Sequence, residues 1–150
     1  GYWGYSYFFH NKKKFDRMLE LMVQVSPKLL LCMDPDVAIT GPEPYAQFAN
    51  SKKMFLMLGV DSMLLQEGPI DKIIDRCRNY ILAGAKERKL FFFLNDISLN
   101  TPPEHVHAAI AAIRYFGQYP IEERPLESFK IPVRESFEAF MEHYQKGVSM

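Results

Sequence analysis

Four short stretches carry residue types capable of chemistry: His10, Asp34-Pro35-Asp36, Gly59-Val60-Asp61 and Asn95-Asp96. Each follows an apolar or aromatic run of about five residues. An imidazole, several carboxylates and an amide gathered in one place can exchange protons with a substrate, or hold a polar ligand or a cation. Each stretch also has a plain structural use. Asp34-Pro35-Asp36 can turn the chain and cap a helix, and Asp61 can accept loop amides. Asn95-Asp96 can cap the loop that follows, and His10 can end a strand in solvent. His10 with Asp34 or Asp96 is the combination that could hold a metal, although the spacing carries no zinc signature. The sequence has no Gly-x-Gly-x-x-Gly, no P-loop and no Gly-x-Ser-x-Gly.

The elements that must position these groups are legible as changes of period. Leu29–Met33, Met54–Leu58 and Leu90–Leu94 are unbroken apolar runs. Such runs predict strands buried on both faces, as in a parallel sheet. Tyr5–Phe9 predicts a further strand that ends at His10. Between the runs the period becomes helical. Phe15, Met18, Leu19, Met22 and Val25 share one helical face, as do Ile70, Ile73, Ile74, Cys77 and Ile81, and Val106, Ala109, Ile110 and Ile113. Thr101-Pro102-Pro103-Glu104 has capping-box spacing, Gly117 supplies a stop, and a short helix is predicted from Glu43 to Ala49. His105 and His107 are expected on the surface of the capped helix. Residues 118–132 are irregular, and a last amphipathic helix is predicted over Val133–Gln145 with Phe137, Phe140, Met141 and Tyr144 on one face.

Strands that alternate with helices imply an α/β fold with a parallel sheet. Ligands then bind at the carboxyl ends of the strands, where His10, Asp34, Gly59, Asp61, Asn95 and Asp96 all fall.

Composition narrows the function classes. The 150 residues suit one domain with a real core, and 48% hydrophobic residues exclude wholesale disorder. Eighteen basic residues balance eighteen acidic ones, which removes the electrostatic reason to expect nucleic acid as a partner. No apolar run approaches the ~20 residues of a membrane helix. The two cysteines, Cys32 and Cys77, sit at apolar positions, read as inert core thiols and fit a cytoplasmic protein.

The run Gly59-Val60-Asp61, Leu65 and Gly68 resembles the Gly-apolar-Asp-x-x-x-Leu-x-x-Gly run of the uroporphyrinogen decarboxylase superfamily. Phe91–Asn100, followed by Thr101-Pro102-Pro103-Glu104-His105-Val106 and Ala108–Gly117, resembles that family's final strand and its Thr-Pro-x-Glu-Asn-Val helix. His10 stands upstream of Asp61 at about the family's distance for a strand-end histidine. The resemblance covers roughly residues 5–117 and implies a (β/α)₈ barrel. It implies either cofactor-free decarboxylation of a tetrapyrrole, or methyl transfer that uses zinc or a corrinoid carried by a partner protein.

The departures from the family are informative. Lys12 and Asn95 occupy positions where zinc methyltransferases of the family carry cysteine, and Asn95 also replaces the decarboxylase's late histidine. Lysine and asparagine do not replace thiolates as zinc ligands. The expectation is therefore a divergent enzyme, most similar to the corrinoid-linked methyltransferases and acting on a small methylated substrate. His10, Asp34 and Asp96 are its candidate catalytic residues, Gly59, Asp61 and Asn95 its candidate substrate-binding residues, and His10 its candidate metal ligand. Uroporphyrinogen decarboxylation is the alternative, and a non-catalytic barrel fragment acting in assembly is a third reading. A barrel needs about 250 residues. Residues 1–117 are accordingly expected to form about four βα units, the C-terminal half of a barrel, and residues 118–150 a tail whose helix packs on it. The missing partner of those units is an upstream half of the same barrel or a second copy.

Overall fold

The computed structural model describes residues 11–148. The predicted strand at Tyr5–Phe9, and His10 with it, lie outside the described residues. The element order is α1 (Lys12–Val25), β1 (Leu29–Met33), α2 (Asp36–Thr40), α3 (Glu43–Ser51), β2 (Phe55–Val60), α4 (Ser62–Glu67), α5 (Ile70–Gly84), β3 (Leu90–Leu94), α6 (Pro103–Phe116), a 3₁₀ turn (Leu126–Ser128) and α7 (Phe137–Val148). Asn11 opens α1, its side chain accepting the Lys14 N–H at 3.1 Å.

The three strands are parallel and lie in sequence order, β1-β2-β3. Register pairs Leu30 with Leu56 and Leu56 with Leu90; the next inward row is Cys32, Leu58 and Phe92. Residues in register point to the same face. This face carries the core. Phe15, Leu19 and Met22 of α1, Tyr45, Ala46 and Ala49 of α3, and Tyr80 of α5 pack with Leu30, Cys32, Leu56 and Leu58. Ile73, Ile74, Cys77 and Ile81 of α5 and Ala109, Ala112 and Phe116 of α6 pack around Val60, with Phe92 and Leu94 against them. The helices α1, α3, α5 and α6 thus cover one face. Each large apolar side chain buried fully there contributes roughly 1.5–3 kcal/mol.

The other face corrects the expectation of strands buried on both sides. Leu29, Leu31, Met33, Phe55, Met57, Gly59, Phe91 and Phe93 occupy it, and none of them belongs to either core cluster. Phe55 and Phe91 stand 42% and 50% exposed with ring centroids 5.4 Å apart. The residues are apolar on both faces, but the helices α1, α3, α5 and α6 all pack on the same one.

Smaller differences have local causes. The strand β2 continues to Val60, so Gly59 lies within it rather than after it. A Cβ on Gly59 would sit 2.4 Å from Phe93 Cζ, so the ring lies directly over this position. The capping box does not form: Thr101 lies within 3.1 Å of the Ser98 hydroxyl, and exposed Glu104 faces Arg134 at 3.8 Å. Ile110 and Val25 point away from the core. His105 is half-buried, its Nδ1 2.8 Å from the Leu65 carbonyl oxygen, and so ties α6 to α4. After α6 the chain returns through Phe129, which packs on Tyr115 and Phe116. The last helix starts at Phe137, four residues later than expected, and leaves Phe137, Phe140 and Tyr144 exposed. No helix among the described residues is long and apolar enough to cross a membrane.

Candidate functional site at the carboxyl rim

Parallel strands put their carboxyl ends on one edge, and the groups read from the sequence meet there. Asp34 follows β1, Asp61 follows β2, and Asn95 and Asp96 follow β3. The ladder extends into the rim: the Asp34 N–H donates to the Gly59 carbonyl at 3.3 Å, and the Asn95 N–H to the Val60 carbonyl at 2.9 Å. These bonds place the three segments side by side.

Asp34 is the most constrained of them. Its side chain is fully buried. The Tyr80 hydroxyl donates to Oδ1, Arg76 Nη1 donates to Oδ2 at 2.5 Å, and the Asp61 N–H donates to Oδ2 at 3.2 Å. Burial raises the Asp34 carboxyl above the ordinary carboxylate range, while Tyr80, Arg76 and the Asp61 amide each pull it back. Burial and the adjacent carboxylate push the Tyr80 phenol up. For Arg76, burial lowers the guanidinium and the Asp34 charge more than offsets it. With both oxygens engaged, Asp34 is a positioning group: it joins β1 to α5 and fixes the start of the β2–α4 loop.

Asp61 is half-buried, and its carboxylate does not cap α4 despite standing at the N-cap position. Asn95 is buried and forms no side-chain hydrogen bond with the described residues. Asp96 is exposed and takes a left-handed backbone, φ 41°, which an aspartate tolerates in a loop. Asp61, Asn95 and Asp96 are therefore the rim groups with hydrogen-bonding capacity to spare. Asp36, read with Asp34 from the sequence, is instead buried at the start of α2. Gly59 sits on the open sheet face beneath the rim, under Phe93. His10 lies outside the described residues.

Among the described residues no three His, Cys, Asp or Glu side chains gather to hold a metal ion. Cys32 and Cys77 are buried free thiols, and both belong to the core clusters. Burial pushes Cys77 to about 12 and Cys32 well above its ordinary value, which keeps both as thiols. The donor set described here does not fit a zinc site.

Sequence reasoning missed Arg76 and Tyr80. They lie one turn apart on α5, and also line a groove of about 650 Å³ between α2, α3 and α5 whose polar walls include Glu43, Gln47, Asn79 and Lys86. The signal was present as an arginine and a tyrosine four residues apart, interrupting an apolar helical face opposite a strand-end aspartate.

Fold and rim together define a mixed α/β chain, a three-stranded parallel sheet alternating with helices and bearing a polar carboxyl edge. Comparison with models of protein families, with curated proteins and with solved structures returns no match.

Proposed function

We propose that these βα units are part of a (β/α)₈ barrel enzyme of the uroporphyrinogen decarboxylase superfamily that transfers a methyl group from a small methylated substrate to a corrinoid carried by a partner protein. The observation that carries the reading is the winding. Strand order follows chain order, α1, α3, α5 and α6 all lie on one sheet face, and the other face is apolar. A doubly wound sheet puts helices on both faces and reverses its strand order; a barrel does neither. The open face then corresponds to a barrel interior, and the rim to its substrate mouth. The two buried thiols suit a reducing, cytoplasmic setting.

In this reading Asp61 and Asn95 hold the substrate's polar atoms, and Asp96, with His10, supplies acid–base capacity. The methyl carbon's bond to oxygen or nitrogen breaks. The methyl leaves as a cation equivalent to the reduced corrinoid, the bond's electron pair stays on the leaving atom, and that atom takes a proton from the rim. Asp34 acts only through the position it gives Asp61.

The test supplies the protein with anaerobic cob(I)alamin and a panel of methoxylated aromatics and methylated amines, and follows methylcobalamin by absorbance. Methyl transfer that falls at least about a hundredfold in Asp96→Asn supports the reading, in line with the usual contribution of a general acid. No methylation of the corrinoid from any of these donors overturns it. Turnover of uroporphyrinogen instead would move the protein to the decarboxylase reading.

A further inference from the structure

Two exposed helical faces of this chain complement each other. On α7, Phe137, Phe140 and Tyr144 are 71%, 51% and 59% exposed, and the last two rings stack with centroids 6.2 Å apart. Met141 continues this stripe. The flanks are acidic, with Glu138 and Glu142 exposed and without an ion pair among the described residues. On α1, Lys13, Lys14 and Arg17 are exposed and equally lack an ion pair there. With Met18 and Leu21 these cations line a shallow cleft of about 420 Å³. Leu21 and Val25 extend its apolar floor outward, 38% and 70% exposed.

The spacings match as well. Lys14, Met18, Leu21 and Val25 follow steps of four, three and four residues, and Phe137, Phe140 or Met141, and Tyr144 follow steps of three and four. This is the repeat of helices that pair along a seam, with charges at the margins choosing the partner. At 1.5 Å per residue the two helices run roughly 21 and 18 Å, so neither overhangs the other by more than a turn. Within one chain the two helices belong to opposite edges of the sheet: α1 packs in the cluster around β1, whereas the tail leaves from α6 beside β3.

We propose that α7 of one copy docks on the α1 face of a second copy, and that the exchange is reciprocal. Both halves of the complementarity are on this chain, and a twofold axis satisfies both at once. Reciprocity also doubles the buried area. One short helix pair falls below the ~800 Å² per partner of a stable interface, and two such pairs approach it. The dimer is independent of the methyl-transfer reading, because both faces lie on the outside of the helical layer.

Sedimentation of the protein from micromolar to sub-millimolar concentration is expected to show a dimer whose affinity falls at least about tenfold between low and high salt. Arg17→Glu or Glu142→Lys alone weakens it by a similar factor, and the two together in one chain restore it. Circular dichroism melts of these surface variants stay superimposable on the parent. Carbodiimide coupling on a mixture of light and isotope-labelled chains joins Lys13 or Lys14 of one chain to Glu138 or Glu142 of another. A monomer at every concentration overturns the proposal. So does a dimer that ignores both charge reversals, or couplings confined to single chains. Association through the open sheet face would appear as a dimer without the α1–α7 coupling, and so would also overturn it.

Discussion

Removal of the Asp34 carboxylate is the perturbation whose consequence the structure sizes best. Asp34→Ala leaves the Arg76 guanidinium, the Tyr80 hydroxyl and the Asp61 N–H without their common acceptor. Breaking a fully buried ion pair costs about 3–5 kcal/mol. The Arg76 side chain is 26% exposed, so water can recover part of its solvation and the lower end applies. A loss of about 3 kcal/mol in a chain of this size lowers Tm by roughly 6–12 °C. Tyr80→Phe removes one hydrogen bond to the same charge and costs about 1.5–3 kcal/mol.

The pH dependence separates this network from ordinary packing. Burial raises Asp34 in the folded state, so the folded protein binds its proton more tightly than the unfolded chain does. The stability this provides is full below the unfolded value of about 3.9, and is lost as pH rises through the raised folded value. Tyr80→Phe removes an interaction that lowers Asp34, which moves the folded value further up. Its cost is therefore larger at neutral pH than well below the unfolded value of about 3.9, where the carboxyl is neutral in both states. Asp34→Asn flattens the dependence. Urea melts of the parent and the three variants across this range measure all of it. Equal costs for Tyr80→Phe at both ends, or an unchanged pH slope in Asp34→Asn, would refute the reasoning.

Gly59→Ala drives a methyl group into the Phe93 ring and is expected to cost about 1–3 kcal/mol by overpacking. Phe93→Ala in the same chain should recover part of that cost, as a chemical-denaturation double-mutant cycle would reveal. Cys32 and Cys77 should resist a disulfide-exchange reagent in the native protein, and both should react once urea unfolds it; fast native labelling contradicts their burial. Phe55→Thr with Phe91→Thr should lower binding of a hydrophobic dye while changing stability by less than about 1 kcal/mol, because neither ring belongs to a core cluster. A large loss in that melt would mean the open face is packed in solution.

The helices and strands were legible because each is written in one period. Phe15, Leu19 and Met22 repeat every three or four residues and reach the core; Leu29–Met33 and Leu90–Leu94 are short and unbroken, and form strands. Which sheet face the helices cover was not legible, because inward Leu30 and outward Leu31 have the same chemistry. The rim followed from strand direction alone, which placed Asp34, Asp61 and Asn95 together without any motif. The state of each rim group did not follow. Asp34-Pro35-Asp36 has the composition of a turn, and the Asp34 partners Arg76 and Tyr80 come from α5, five elements later in the chain. The capping box failed because Pro102 rather than Thr101 stands at the N-cap of α6, while Thr101 meets the Ser98 hydroxyl, which spacing does not reveal.

Considered along the time axis of synthesis, the Asp34 knot is a delayed fastening. Its three donors stand 27, 42 and 46 residues downstream. At ~5–20 residues per second the last of them leaves the ribosome roughly 2–9 s after Asp34 itself. Through that interval the apolar run Leu29–Met33 is flanked by a bare, hydrated negative charge. A charge at the end of an unpaired apolar strand discourages its association with other chains. The group that later becomes the most buried carboxylate at the rim thus first guards the strand that carries it, and gives up its water only when Tyr80 has arrived.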